Sequence, residues 1–272
     1  FEVVEQLPGG YHDGYLSFWW QYLSGSRAFC DAEDCLDVPT WNHLWFVAYL
    51  LVYTLFLPLA RWLPARIKAI HIGGIGVLIW PVIYLIIARL LLLERFESTH
   101  GLVDDWYNHT QYLAAFLFGF AMASKLEFWQ ALHRLRWLST SIACISAVFL
   151  FVYFSIYTDS NPATDTVRIF RRCIWGAQQW LVPAAIMGFA FQYWQGESSL
   201  LKKLSPAIFP LYILHQTVIV VLSQHLKPLT LPPLIEGPLL IVLTFGLCWL
   251  AYLIIRRLRW LCPLFGVTFK PR

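Results

Sequence analysis

Residues 239–255 read LLIVLTFGLCWLAYLII and are followed at once by Arg256 and Arg257. No charged side chain interrupts the run, and as a helix rising 1.5 Å per residue it extends about 25 Å, at the short end of what crosses a hydrocarbon core about 30 Å thick. Working outward, similar apolar runs recur back to Leu44. The expected fold is an all-α integral membrane protein with about seven transmembrane helices, at 43–60, 70–93, 110–124, 137–157, 173–194, 207–224 and 239–255. Composition points the same way: 58% of residues are hydrophobic, 13% are charged, and mean hydropathy is +0.58, against roughly 25% charged residues in a soluble domain. The 14 Trp, 13 Tyr and 20 Phe fit aromatic belts at two membrane interfaces. The net charge of +4 is dispersed between apolar runs, with no basic and aromatic cluster of the kind that binds nucleic acid.

Lys and Arg separate between alternate connections, so the positive-inside rule gives an orientation. Arg61, Arg66 and Lys68, then Lys125, Arg134 and Arg136, then Lys202 and Lys203, then Arg256, Arg257 and Arg259 mark the cytoplasmic side. Arg95, Arg168, Arg171, Arg172 and Lys227, with most of the acids, fall on the other. The C-terminus is then cytoplasmic and Phe1 starts outside, so an odd number of helices is expected ahead of it. Two domains are expected: an extracytoplasmic acidic segment at 1–42 and a multi-helix membrane domain at 43–272. Within the first, 16–23 has the character of an interfacial helix anchored by Trp19 and Trp20. Cys30 and Cys35 share its acidic loop, where they are either a disulfide pair or two thiols.

Polar groups inside membrane spans are costly, which makes each of them a candidate for function. In Ser205-Pro-Ala-Ile-Phe-Pro-Leu-Tyr-Ile-Leu-His215 and the residues after it, Ser205, Tyr212, His215 with Gln216, and Ser223 fall near one helical stripe, which is expected to face the bundle interior. His215 lies about ten residues into its span, roughly 15 Å deep. A neutral imidazole there either acts as a general base toward a hydroxyl, holds a substrate, or bonds to a neighbouring helix. His43 opens the first span between Trp41 and Trp45. His109 occupies the matching level before the third, four residues after Asp105, whose carboxylate one turn away is expected to fix the imidazole tautomer. Arg89, in Ile86-Ile-Ala-Arg-Leu-Leu, either snorkels to the interface or holds a carboxylate, phosphate or oxyanion. Arg168, Arg171 and Arg172 read as a solvated loop. The expected site is one chamber with His43, Arg89, His109, Gln178 and Gln179 around its mouth and His215 deeper. Phosphate-binding glycine loops, Gly-x-Ser-x-Gly, His-Glu-x-x-His and Cys-x-x-Cys are absent from the sequence, which removes support for nucleotide hydrolysis, serine hydrolysis on that elbow and zinc proteolysis.

Three stretches resemble the acyltransferase 3 type of membrane acyltransferase, nearest to its branch of glucans biosynthesis protein C and sugar O-acyltransferases. These are His43-Leu-Trp-Phe opening a span, the Ser205 to His215 stretch with its Tyr-x-x-His, and Pro263-Leu-Phe-Gly-Val near the end. The resemblance implies a bundle of about ten helices. It also implies transfer of an acetyl or succinyl group from acetyl-CoA or succinyl-CoA to a hydroxyl of a glycan or lipid-linked sugar in the bacterial inner membrane. On that reading His215, His43 and His109 are catalytic candidates, and Arg89, Tyr212, Trp45, Asp105 and Gln178 bind substrate. Acyl-CoA is the co-substrate, with no metal and no nucleic acid involved. The family's principal histidine and its partner arginine lie on a first helix without counterpart here, so the chain is expected to be a fragment. The competing expectation is a transporter or flippase of a polyisoprenyl-linked or other sugar, in which the same polar groups bind without reacting.

Overall fold

The computed structural model describes residues 13–25, 42–60, 73–96, 98–158, 160–194, 196 and 198–268. Among them the regular structure is helical, joined by turns and short irregular stretches, with one isolated bridge between Thr158 and Asn161. The helices are α1 (Tyr15–Leu23), α2 (Trp45–Ala60), α3 (Gly76–Leu92), α4 (Trp106–Met122), α5 (Leu126–Ile156), α6 (Asp165–Tyr193), α7 (Ser199–Leu204), α8 (Ile208–Leu226) and α9 (Pro233–Ile255). Each expected span falls on one of them. The stretches Leu126–Ile156, Ser199–Leu229 and Pro233–Ile255 are long and apolar enough to cross a membrane, and α2 and α3 contribute shorter apolar helices. The chain is an all-α membrane protein. Cys30 and Cys35 lie outside the described residues.

Two spans start well before their expected bounds. α5 begins at Leu126 and α6 at Asp165, so Arg134 and Arg136 are helical, as are Arg168, Arg171 and Arg172, which had read as loop. Hydropathy locates the lipid-compatible part of a helix, whereas the helix itself continues wherever packing holds it. Phe128, Ala131 and Leu132 anchor the early part of α5 in the core. Asp165 sits in the first turn of α6, where a carboxylate is favoured by the helix dipole.

The chain divides into two compact units, Phe1–Leu51 and Val52–Arg272, with the boundary inside α2. In the first unit, α1 stacks Phe18 on Tyr22 and exposes Leu16, Trp20 and Leu23, as an amphipathic helix does at an interface. In the second, α5 packs chiefly on α6 and α6 on α3, while α8 packs on α9. Membrane helices have no hydrophobic drive toward one another, so small residues that permit close approach should line their contacts. α5 follows this rule. Ala131, Ser139, Ala143 and Ser146 are buried, while Ile145, Val148 and Phe151 face outward at 64–74% exposure.

Proline creates a specific demand in α3. Pro81 has no N–H, so the carbonyl of Val77 loses its intrahelical donor, and Val77 is fully buried. The indole Nε1–H of Trp180 on α6 donates to that carbonyl at 2.9 Å. The proline and the contact that replaces its missing donor are thus one feature. At Gly188 of α6 a Cβ would lie 2.5 Å from the Leu132 carbonyl oxygen and 2.9 Å from Arg136 Cβ, so the α5–α6 contact requires glycine there.

Replacing the indole by Trp180→Phe should destabilise the detergent-solubilised protein by about 1–3 kcal/mol, the cost of an orphaned buried carbonyl. In a Pro81→Ala background, which restores the intrahelical donor, the same change should cost at least about 1 kcal/mol less; equal costs would remove the link. Thermal melting should also show Gly188→Ala lowering the midpoint. Gly119→Ala, where a Cβ meets nothing within 4 Å, should leave it unchanged or raise it by the helix-propensity gain.

Candidate functional site

α6 reaches α3 most closely at Gly176, where a Cβ would lie 3.1 Å from Ile86 Cα and 3.2 Å from Ile86 N. One turn beyond Ile86 stands Arg89, buried at 9% exposure in an otherwise apolar helix. Its Nη1 donates to the Tyr107 hydroxyl on α4 at 2.8 Å. Its guanidinium carbon lies 5.1 Å from the ring centroid of Trp175 on α6, a cation–π distance. Nε is buried and donates to nothing. Among the described residues the ion pairs are Arg168–Asp165 and Arg172–Glu94, and no carboxylate pairs with Arg89. Arg89 is therefore drawn into the bundle and does not snorkel.

Around it the three helices carry further polar groups. Gln179 Nε2 donates to Gln111 Oε1 at 2.7 Å, tying α6 to α4. The amide oxygens of Gln178 and Gln179 are buried and accept nothing. Arg171 lies over the rings of Tyr153 and Phe154, at 5.4 and 5.8 Å. Arg172 Nη2 donates to Glu94 Oε1 at 2.6 Å. That hydrogen bond and the charge behind it hold the Glu94 carboxyl below its ordinary range. The contribution of this pair is thus present above the unfolded carboxylate pKa and is lost as pH falls through the lowered folded value.

The structure gives Asp105 and His109 separate tasks. Asp105 is the N-cap of α4: its carboxylate accepts from the Asn108 backbone N–H at 3.4 Å, the Asn108 side-chain amide at 2.8 Å and the His100 N–H at 2.9 Å. His109 Nε2 lies 3.0 Å from the Leu102 carbonyl and Nδ1 lies 2.8 Å from the Tyr53 hydroxyl. A carbonyl can only accept, so the proton is on Nε2 and Tyr53 donates to Nδ1. The tautomer expected from Asp105 is set by Leu102 and Tyr53.

His215 and Tyr212 stand apart from this group. With Ile208, Leu211 and Ile219 of α8 and Leu240, Ile241, Thr244, Phe245 and Cys248 of α9 they line a cavity of about 390 Å³. The His215 Nδ1–H donates to the Tyr212 carbonyl at 2.6 Å, which leaves Nε2 as the acceptor nitrogen of a neutral ring. Thr244 contributes a buried hydroxyl without a partner. His43 and Trp45 belong to the first unit: His43 lies in a 3-10 turn at Asn42–Leu44, and Trp45 meets Tyr49 edge to face at 5.2 Å.

The structure thus joins Arg89 to Tyr107, Trp175, Gln111 and Gln179, and His215 to Tyr212 and Thr244. α8 has α9 as its main packing partner and not α3, α4 or α6. Sequence reading missed Tyr107, Trp175 and Gln111. The available signal was spacing, since Tyr107 and Gln111 are four apart on α4, and Arg171, Trp175 and Gln178 are four and three apart on α6.

Compared with known proteins, the chain matches the acyltransferase domain of the acyltransferase 3 family over residues 3–253. Neither a curated protein nor a solved structure matches it. A match over nearly the whole sequence, on a helical membrane fold with a buried cation and a cavity-lining histidine, establishes that this chain belongs to the acyltransferase 3 family of membrane acyltransferases.

Proposed function

We propose that the protein transfers an acetyl or succinyl group from acyl-CoA to a hydroxyl of a glycan or lipid-linked sugar. Arg89 carries the reading. An ionised group in a membrane helix is expensive, and this one has a hydroxyl and an indole for company, with Nε unspent. A guanidinium kept in that state is available to an anionic group of the substrate.

In the proposed step a base takes the acceptor's hydroxyl proton as the oxygen attacks the thioester carbonyl. The tetrahedral intermediate then collapses, the carbon–sulfur bond breaks, and coenzyme A leaves as its thiol once the sulfur is protonated. His215 suits the base, because its Nδ1 is committed to the Tyr212 carbonyl and its ring borders a cavity with room for an acyl group. His109 is a weaker candidate, since Tyr53 occupies the nitrogen that would take the proton. His43 is the third. Tyr212 and Gln178 are assigned to substrate binding with Arg89, and Asp105 supports that group by capping α4.

Membranes containing the full-length protein should move radiolabelled acyl groups from acyl-CoA to membrane glycans. His215→Ala should slow the transfer by about 10²-fold or more, as loss of a general base does, with the amount of membrane-inserted protein unchanged. Unaltered transfer would remove His215 from the site. Sugar movement across vesicles without any acyl donor, and no acyl transfer, would replace this reading with a transporter.

A further inference from the structure

Arg89 has two cationic neighbours on α6. Trp175, the ring beneath Arg89, meets Phe154 at 6.0 Å, Phe154 lies under Arg171 at 5.8 Å, and Arg171 and Arg172 precede Trp175 by about one helical turn. Each of the three guanidinium groups buries an Nε that donates to nothing. Against three positive charges the described residues set one carboxylate, Glu94, which takes Nη2 of Arg172. Asp165 is engaged by Arg168. Like charges gathered in a partly desolvated place repel, and unspent buried donors add to the cost. A bound anion would relieve both.

The unspent atoms indicate which anion. Nε and the neighbouring Nη of a guanidinium form the fork that grips carboxylate or phosphate oxygens. Tyr107 occupies Nη1 of Arg89 and leaves Nε to a ligand. Three such donors match the three terminal oxygens and near-double charge of a phosphoryl group, whereas a carboxylate offers two oxygens and one charge. Depth narrows the source. Arg89 lies in the last turn of α3, and Arg171 and Arg172 lie in the second turn of α6, about 5–10 Å from their helix ends. That is the level at which a lipid-borne phosphate meets a membrane helix. One to two turns further along α6, Gln178 and Gln179 bury amide oxygens that lack donors, which are complementary to sugar hydroxyls.

We propose that Arg89, Arg171 and Arg172 form a binding site for the terminal phosphate monoester of a membrane glycolipid, with Glu94 as the built-in competitor. Its role as the acceptor site rests on the transferase reading above; the binding itself does not.

The test is equilibrium binding to the detergent-solubilised full-length protein with no acyl donor present. Farnesyl phosphate is the probe, and farnesol is its uncharged counterpart. Farnesyl phosphate should bind at least tenfold more tightly than farnesol. Arg171→Gln and Arg172→Gln should each weaken farnesyl phosphate about tenfold and leave farnesol unchanged. Glu94→Gln should tighten the phosphate severalfold, a change in the direction that a folding defect does not produce. Equal affinity for phosphate and alcohol, or arginine variants that bind like the wild type, would overturn the proposal. Displacement by equimolar phosphatidylglycerol, a phosphodiester, or by coenzyme A would overturn the assignment to a lipid phosphate monoester. Acyl transfer is measured separately, so a failure of either reading leaves the other result legible.

Discussion

The backbone contact between Gly176 and Ile86 sets the pairing of α6 with α3 on which the cationic group depends. It presses the two helices so close that an added methyl group would lie 3.1 Å from the Ile86 Cα, tighter than an ordinary contact. Two consequences follow from the same approach. One turn along α6, Trp180 reaches the Val77 carbonyl that Pro81 left without a donor. One residue before Gly176, Trp175 lies against Arg89. In lipid, where no water fills a missing hydrogen bond, the first contact stabilises the pairing of the helices and the second permits a cation to remain inside it.

The division of labour among side chains is that of a membrane protein. Large aliphatic and aromatic residues face outward, as on α5 and α9, where Phe151, Leu250 and Ile254 are exposed, and small residues line the contacts. Polar groups at the interfaces are engaged wherever their role is to hold helices together: Gln111 with Gln179, Tyr84 with the Thr110 carbonyl, Asp105 with the start of α4. Against that background the unspent donors of Arg89, Arg171 and Arg172 and the unspent acceptors of Gln178, Gln179 and Thr244 stand out. They divide into a cationic group on α3 and α6 and a mostly apolar cleft between α8 and α9. On the proposed reading the first holds a polar acceptor and the second admits the acyl group.

The helical membrane class was legible in apolar runs such as 239–255, because a lipid-crossing segment writes its length directly into the sequence. Helix starts were not, as α5 and α6 show: Arg134, Arg136 and Arg168 look like loop to a hydropathy scale, yet they continue helices that packing supports. Arg89 and His215 were legible as polar interruptions of apolar runs, and the Ser205 to His215 motif carried the family. Their partners were hidden, since Tyr107 and Trp175 are ordinary interfacial aromatics until α6 docks on α3. The orientation of His109 was hidden too. Its proton is placed by a backbone carbonyl at Leu102, and no side-chain spacing reveals a carbonyl.

The account holds that Arg89 is retained for chemistry at a cost to the fold. Replacing a buried charge by an apolar side chain of similar length separates the two, because removal of the guanidinium also removes its desolvation penalty. The direct measurement is the stability of Arg89→Met in detergent together with its acyl transfer per folded molecule. The account predicts stability equal to or above that of the wild type and transfer reduced by at least about tenfold. A protein that loses several kcal/mol of stability while each folded molecule transfers as before would contradict it.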